Sequence, residues 1–167
     1  TSRLAHALGA PQHADWAARE LSLRAAIQRH LWLPDRGYFR YLIGGPVDCN
    51  HQEGLGHALA LLLGHCSKEQ ADSVFEHQHI RPAGIPCVWP TFERYRRDHH
   101  VGRHSGTVWP HIQGFWGHAA LQHGRHDLFE DELFKLARHA ARDNQFAEVY
   151  HPETTQPYGG LQEERGQ

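Results

Sequence analysis

Leu121-Gln122-His123-Gly124-Arg125-His126-Asp127-Leu128-Phe129-Glu130 is a tight turn between two apolar-periodic segments. Before it, Ile112, Phe115, Trp116 and Ala119 recur at three-to-four-residue spacing. That spacing predicts a helix from Pro110 or His111 to His123 with those side chains inward. Pro110 suits the first helical turn, where its missing N–H has no intrahelical partner to lose. After the turn, Asp127 stands as a cap and Glu130, three residues on, completes a capping box. Leu133, Leu136, Ala137 and Ala140 carry the second helix to about Asp143. Helix, short turn and returning helix make a helical hairpin, so the chain is read as all-α.

The same pattern extends upstream. Trp16, Leu23, Ile27 and Leu31, widened by Ala17 and Leu21, predict an amphipathic helix from about Asp15 to His30. Pro34, Gly37 and the aromatic run Tyr38, Phe39, Tyr41 read as a turn and a brief extended segment. A helix is expected near Asn50, with Asn50 as cap, Glu53 three residues on, and Leu55, Ala58, Leu59, Leu62 and Leu63 giving its apolar face. Gly64 is its stop. Ser67 caps a shorter helix over 68–76, with Ala71, Val74 and Phe75 inward. Residues 81–106 carry Pro82, Gly84, Pro86, Pro90, Gly102 and Gly106 and read as loop, with one short strand at 87–89. Loops this long in a compact domain are usually functional. Residues 144–167 are loop-like. No fixed-period repeat of the solenoid kind is present.

Composition narrows the class. The 167 residues are 40% hydrophobic and 22% charged, as in an ordinary globular domain. A net charge of −2 argues against a nucleic-acid partner, which would select a basic surplus. The longest apolar run, 59–63, is too short to span a bilayer. Cys49, Cys66 and Cys87 are odd in number and widely spaced, which fits free thiols in a reducing compartment and favours the cytoplasm. There is no Met, and the chain begins within a helical pattern; it is expected to be a fragment.

Function is sought in the connections. Trp89, Tyr95, Trp109, Tyr150 and Tyr158 all lie in loops between helices. Rings there suit a sugar-binding cleft, because a sugar ring presents an apolar C–H face. They equally suit plugs over the core beneath the loops. Phe146-Ala147-Glu148-Val149-Tyr150-His151-Pro152-Glu153-Thr154 places a carboxylate just after a helix, beside an aromatic and a Pro-stiffened turn. A carboxylate so held can work as a base. An inverting glycosidase needs such a base and, roughly 6.5–9.5 Å away, a carboxylic acid, with the attacking water between.

Glu148-x-Tyr150-x-Pro152-x-Thr154 resembles the E-x-Y-x-P-x-T-G signature of glycoside hydrolase family 63 and its mannosylglycerate-hydrolase-like relatives. In that family the signature Glu is the general base, a role that maps onto Glu148. Thr155 stands where the family has Gly. Gly102-Arg103-His104-Ser105-Gly106-Thr107-Val108-Trp109-Pro110 is similar to the family's Y-W-R-G-P-V-W-P segment at Gly106, Val108, Trp109 and Pro110. Ser105 replaces the family Arg and Thr107 the first Pro. The resemblance makes Trp109 a stacking platform, with Gly106, Tyr150 and His151 beside the substrate. Gly159-Gly160-Leu161-Gln162-Glu163 looks like the segment that follows the base, which makes Gln162 a contact for sugar hydroxyls. Residues 31–39 resemble a hairpin turn common in six-hairpin glycosidases. Gln52-Glu53-Gly54-Leu55-Gly56 and residues 85–90 are similar to others in that group, and Glu53 is read there as a cap.

The resemblance, from about Ala14 to Glu163, implies a partial (α/α)6 toroid of helical hairpins with long aromatic-rich loops. Residues 1–167 would be the C-terminal portion of one glycosidase domain. It implies hydrolysis of an α-linked glucosyl or mannosyl bond with inversion, a carbohydrate substrate, and no cofactor. The family's general acid is an Asp in a Trp- and Gly-rich loop. No such stretch is present, so the acid is expected upstream of Thr1 and this segment alone is expected to be inactive. The 17 histidines include close pairs such as His77/His79 and His123/His126, but no HExxH and no matching ligand set, so no metal site is expected. A non-catalytic helical module that binds carbohydrate or protein through the aromatic loops is the alternative.

Overall fold

The computed structural model describes residues 2–44, 49–97 and 100–158. Seven helices carry the described residues: α1 (Ser2–Ala7), α2 (His13–His30), α3 (Gly54–Leu62), α4 (Lys68–His77), α5 (Glu93–Arg97), α6 (Pro110–Gln122) and α7 (His126–Asp143). Two small antiparallel pairs join them, β1 (Trp32–Leu33) with β2 (Tyr38–Phe39) and β3 (Gln52–Glu53) with β4 (Val88–Trp89). The chain is therefore mostly helical, with hairpins α3–α4 and α6–α7 and long connections between them. No helix among the described residues is long and apolar enough to cross a membrane.

The core lies between α3, α4 and α6. Ala58, Leu61, Val74, Phe75, Ile112, Trp116, Ala119 and Ala120 are all buried there. Small residues set the spacing: Ala58, Ala119 and Ala120 are fully buried, so α3 and α6 approach closely and Trp116 fills the gap toward Phe75, ring to ring at 5.1 Å. α4 starts as its sequence predicts. The Ser67 side chain accepts from the Gln70 amide, and the Gln70 side chain accepts from the Ser67 amide, a complete capping box. Gly64 ends α3 in the left-handed conformation, φ +66°, with the His65 amide donating back to the Ala60 carbonyl at 2.8 Å.

Two helix starts differ from the sequence reading. α3 begins at Gly54, because Gln52 and Glu53 are drawn into pairing with Val88 and Trp89. Glu53 is thus itself the cap, its carboxylate accepting from the amides of Leu55 and Gly56 at 3.2 and 2.5 Å, and Asn50 caps nothing. α7 begins at His126, so Asp127 lies inside the first turn and pairs with Arg125 at 3.3 Å instead of capping. α5 was not expected from its short, highly charged sequence.

The faces of the helices hold the larger correction. On α7 the buried residues are Glu132, Lys135 and His139, while Leu133 and Phe134 are exposed. On α6, Phe115 points outward as well. On α2 no residue is buried, and Trp16, Leu21 and Leu23 of the expected inward stripe are exposed. α2 docks instead along Ile27 and Leu31, with Arg24 bonding the Gly64 carbonyl and Gln28 bonding the Gln70 side chain at 2.8–3.1 Å. In the 167-residue chain, Leu21→Gln should change stability by less than about 0.5 kcal/mol. Leu61→Ala should cost about 2–5 kcal/mol. Urea denaturation of both variants checks the contrast, and a large loss at Leu21 would mean that the stripe is covered.

Candidate active site

A strip of backbone pairing crosses the N-terminal ends of α3 and α6. The Gly54 amide donates to the Cys87 carbonyl at 2.8 Å, and the Cys87 amide to the Thr107 carbonyl at 2.8 Å. Val108 and Tyr150 exchange both bonds, at 2.9 and 2.8 Å, and the Tyr158 amide reaches the Val149 carbonyl at 3.0 Å. Four connecting segments, each irregular by sequence, are thus tied edge to edge at one end of the helices. Buried backbone amides need partners, and here the loops supply them to one another.

Glu148 stands on this strip, one residue before the buried Val149 and Tyr150. Its carboxylate is largely exposed, at 64%, and is ion-paired to the guanidinium of Arg103, which is only 12% exposed. Arg103 in turn lies 5.2 Å over the Trp109 ring. The Trp109 indole N–H donates to the Arg103 carbonyl at 2.9 Å, and the ring stacks on His104 at 5.2 Å with His111 edge-on at 5.4 Å. Thr107 closes the turn by donating its hydroxyl to the same Arg103 carbonyl. The wide turn over Gly102–Gly106 therefore delivers a fixed cation to Glu148. The Arg103 hydrogen bond and charge, with smaller help from His104 and His111, hold the Glu148 carboxyl below the usual carboxylate range. Glu148 is ionised at neutral pH and open to water on one side.

Arg103 was not singled out by sequence. The expected Arg position is occupied by Ser105, which is fully buried and accepts from the Phe92 amide at 2.9 Å. The cation comes from two residues earlier. Proximity of Arg to the G-x-V-W-P segment was the available signal.

The other expected contacts divide. Trp109 joins Glu148 through Arg103, but at 9% exposure it leaves little of its ring open to a ligand. Tyr150 is fully buried: its ring stacks on His139 at 3.9 Å, its hydroxyl donates to Asp143 at 3.1 Å and accepts from the Ala147 amide at 2.9 Å. It has no surface to offer a sugar and instead clamps the Glu148 loop from both sides. Gly106 is also buried, since any side chain there would meet Thr91 and the Val101 carbonyl. His151 is half-buried, and its Nδ1 accepts from the amides of Glu153 and Thr154 at 3.2 Å, so it holds the turn. Gln162, with the Gly159–Gly160 run, lies outside the described residues. Thr155 takes φ +62°, the left-handed conformation that its family's Gly would adopt without strain.

Behind the loop is a buried polar network that sequence reasoning missed. The Ala83 carbonyl accepts from Gln113 Nε2 and His139 Nε2, both at 3.0 Å. Gln113 also bonds Glu132 at 2.9 Å, and the Ala83 amide donates to the Pro152 carbonyl at 3.0 Å. One short strap, 81–84, thus links α6 and α7 to the turn that follows Glu148. Burial raises the Glu132 carboxyl and lowers the His139 imidazole, so both lean toward their neutral forms. On the other side of the strip, Trp89 is stacked on His79 at 3.8 Å, with Arg81 4.9 Å over its ring and paired to Glu153. Burial also raises the Glu53 carboxyl. No three His, Cys, Asp or Glu side chains among the described residues converge on a metal-sized point.

An all-α array of hairpins, with a loop carboxylate set against Arg and Trp at the helix N-termini, describes one segment of an (α/α) toroid glycoside hydrolase. The chain belongs to the mannosylglycerate hydrolase MGH1-like glycoside hydrolase family, whose domain it matches over residues 2–163. Its fold is similar to that of the glycoside hydrolase family 63 mannosylglycerate hydrolase from Thermus thermophilus. The form in complex with glucose gives a TM-score of 0.72 at 21% identity, covering 95% of this chain and 40% of that one. The form in complex with Tris gives 0.73 at 20% identity, covering 95% and 38%. Neutral trehalase from Saccharomyces cerevisiae is similar at a TM-score of 0.66 and 16% identity, over 84% of this chain and 27% of that one. The chain thus spans about 40% of the length of the hydrolase it matches. No curated protein matches it.

Two measurements probe this geometry. In carboxyl-detected NMR the Glu148 titration midpoint should lie below the ordinary value of about 4.3 and rise toward it in Arg103→Gln. An unchanged midpoint would show that Arg103 does not set it. Thr155→Gly should stabilise the chain by about 0.5–1 kcal/mol, since relief of left-handed strain exceeds the entropy that Gly adds to the unfolded state. A lower melting temperature for this variant would contradict the strained turn.

Proposed function

We propose that this chain supplies the general base of an inverting glycosidase acting on an α-linked glucosyl or mannosyl O-glycoside, and that the base is Glu148. The single observation behind it is an exposed carboxylate kept ionised by Arg103 on a loop whose backbone is anchored on both sides. A general base must be unprotonated and must not wander, while a water has to reach it; a half-open ion pair meets all of these conditions. Inversion then requires a carboxylic acid on the opposite side of the sugar, roughly 6.5–9.5 Å from Glu148. No carboxyl on the strip suits that role, because Glu53 is engaged as the cap of α3.

We further read residues 1–167 as the C-terminal portion of a larger toroid domain that contributes the acid and covers Trp16, Leu21 and Leu23. The coverage of about 40% of the similar hydrolase and the exposed apolar stripe of α2 support this. The segment alone would then be inactive. In the sugar site, Trp109 and Gln162 would meet the substrate. His151, Tyr150 and Gly106 would shape the loop rather than touch it. No cofactor is needed, because proton transfer and water attack account for the reaction.

The test is Glu148→Gln in the protein carrying the whole catalytic domain, assayed on α-mannosyl- and α-glucosylglycerate. kcat/KM should fall by about 10²-fold or more. Proton NMR should show the β-anomer of the released sugar first. A loss under about tenfold would remove Glu148 from the role, and an α-anomer formed first would remove inversion.

A further inference from the structure

A cavity of about 300 Å³ opens where α7 meets the 81–84 strap and the turn that begins with His151, lined by Pro82, Lys135, Arg138, His139, Arg142 and Thr155. Its basic members recur on one helix face at i, i+3, i+4 and i+7. No carboxylate among the described residues lines it. Asp131, Glu132 and Asp143 stand behind the cations and hold them in place. Lys135 bonds Asp131 and reaches Glu132 at 3.5 Å, and Arg142 makes paired bonds to Asp143 at 2.7 and 2.8 Å. Arg142 also donates to the Thr155 carbonyl at 2.7 Å and to its hydroxyl at 3.2 Å.

A count of donors gives the cavity its chemistry. Lysine has three N–H donors and arginine five. After the bonds just named, Lys135 and Arg142 each retain a donor. Arg138 retains all of its own, having no hydrogen bond or ion pair among the described residues. His139 commits its Nε2 proton to the Ala83 carbonyl and contributes a wall rather than a charge. Among the described residues the result is a concave site, with two restrained cations and one free one around a hydroxyl, of a size that takes a small ligand. Restraint matters because a pre-oriented guanidinium loses little entropy on binding an oxyanion, which it meets with two parallel bonds.

We infer that this cavity is a binding site for a small oxyanion of the phosphate class, held by Arg138, Arg142, Lys135 and the Thr155 hydroxyl. It is separate from the Glu148 site and its existence does not depend on the glycosidase reading. Free inorganic phosphate and the phosphate group of a sugar phosphate share the chemistry it recognises. Its occupant would lie against Thr155, in the turn that begins with His151, so binding would brace the loop that carries Glu148.

The experiment is thermal denaturation of the 167-residue chain with potassium phosphate, potassium sulfate or glucose 6-phosphate, each against potassium chloride at equal ionic strength. A ligand that binds only the folded state raises the melting temperature along a saturable curve. Saturable stabilisation by phosphate and sulfate beyond chloride is expected. In Arg138→Gln the apparent affinity should fall about tenfold or more, as for loss of a charge-assisted bond. Arg138 is exposed and has no partner among the described residues, so the variant should melt as wild type does in chloride. Tighter binding of glucose 6-phosphate than of phosphate would support the site and assign the sugar phosphate as its source; equal binding would assign the free anion. No saturable shift beyond chloride, or an equal shift in Arg138→Gln, would overturn the proposal.

Discussion

The exchange of backbone bonds between Val108 and Tyr150 is the constraint on which the site depends. Val108 sits immediately before Trp109 and α6, and Tyr150 lies two residues after Glu148. Joining them fixes the distance between the start of a core helix and the loop carboxylate. The Cys87 bonds extend the same strip to α3, and Tyr158 extends it beyond the loop. Loops usually lie over a surface and vary. Here they behave as a sheet because each is too long to be satisfied by its own turns and too buried to be satisfied by water. Rigidity at Glu148 is therefore inherited from two helices rather than from the local sequence.

A second layer of fixation comes from polar groups where an apolar face would be expected. Glu132, Lys135 and His139 on α7 and Gln113 on α6 are buried. Replacing them with leucines would fill the space at less desolvation cost, but would leave the Ala83 carbonyl without its two donors. Gly84, at φ +136°, allows the strap to approach because a Cβ there would strike Gln113 and Glu132. The network gives up some burial energy and in return fixes the position of residues 81–84 and, through Pro152, of the turn behind the Glu148 loop.

Much of the fold was legible in the sequence, and the reasons are local. Ser67 caps α4, Gly64 stops α3, Pro110 opens α6, and the helix expected from about Asp15 to His30 runs from His13 to His30. Each signal acts over a few residues. What failed acts at long range. Asn50 lost its cap to a strand pairing with residues 88–89, which no local pattern announces. On α7, Leu133, Leu136, Ala137 and Ala140 predicted the buried face by hydrophobicity, yet Leu133 and Ala137 are exposed and Glu132, Lys135 and His139 are buried, because the strap's need for donors decided it. The site shows the same divide. The position of Glu148 was readable from its motif, but the role of Tyr150 was not, because a motif states which residue recurs and not which way it faces. Arg103 was overlooked because the motif places its Arg at the position of Ser105.

The position of Arg103 has a steric reason. Ser105 lies in the wide turn over Gly102–Gly106, where it accepts from Phe92 and is closed off from solvent. An arginine at that point would have to leave the interior or break the turn. Two residues earlier, the chain passes beside Trp109, and a guanidinium there can cover the indole face and still reach Glu148. Arg103 loses little by this position, since its charge is met by the carboxylate and its planar head by the ring. The carboxylate gains a counter-charge from a different residue in the same turn. In this chain the electrostatic environment of Glu148 is therefore set by Arg103, from within the same turn that buries Ser105. Thr155 is held in a comparable way: its left-handed turn is secured by Arg142 at the carbonyl.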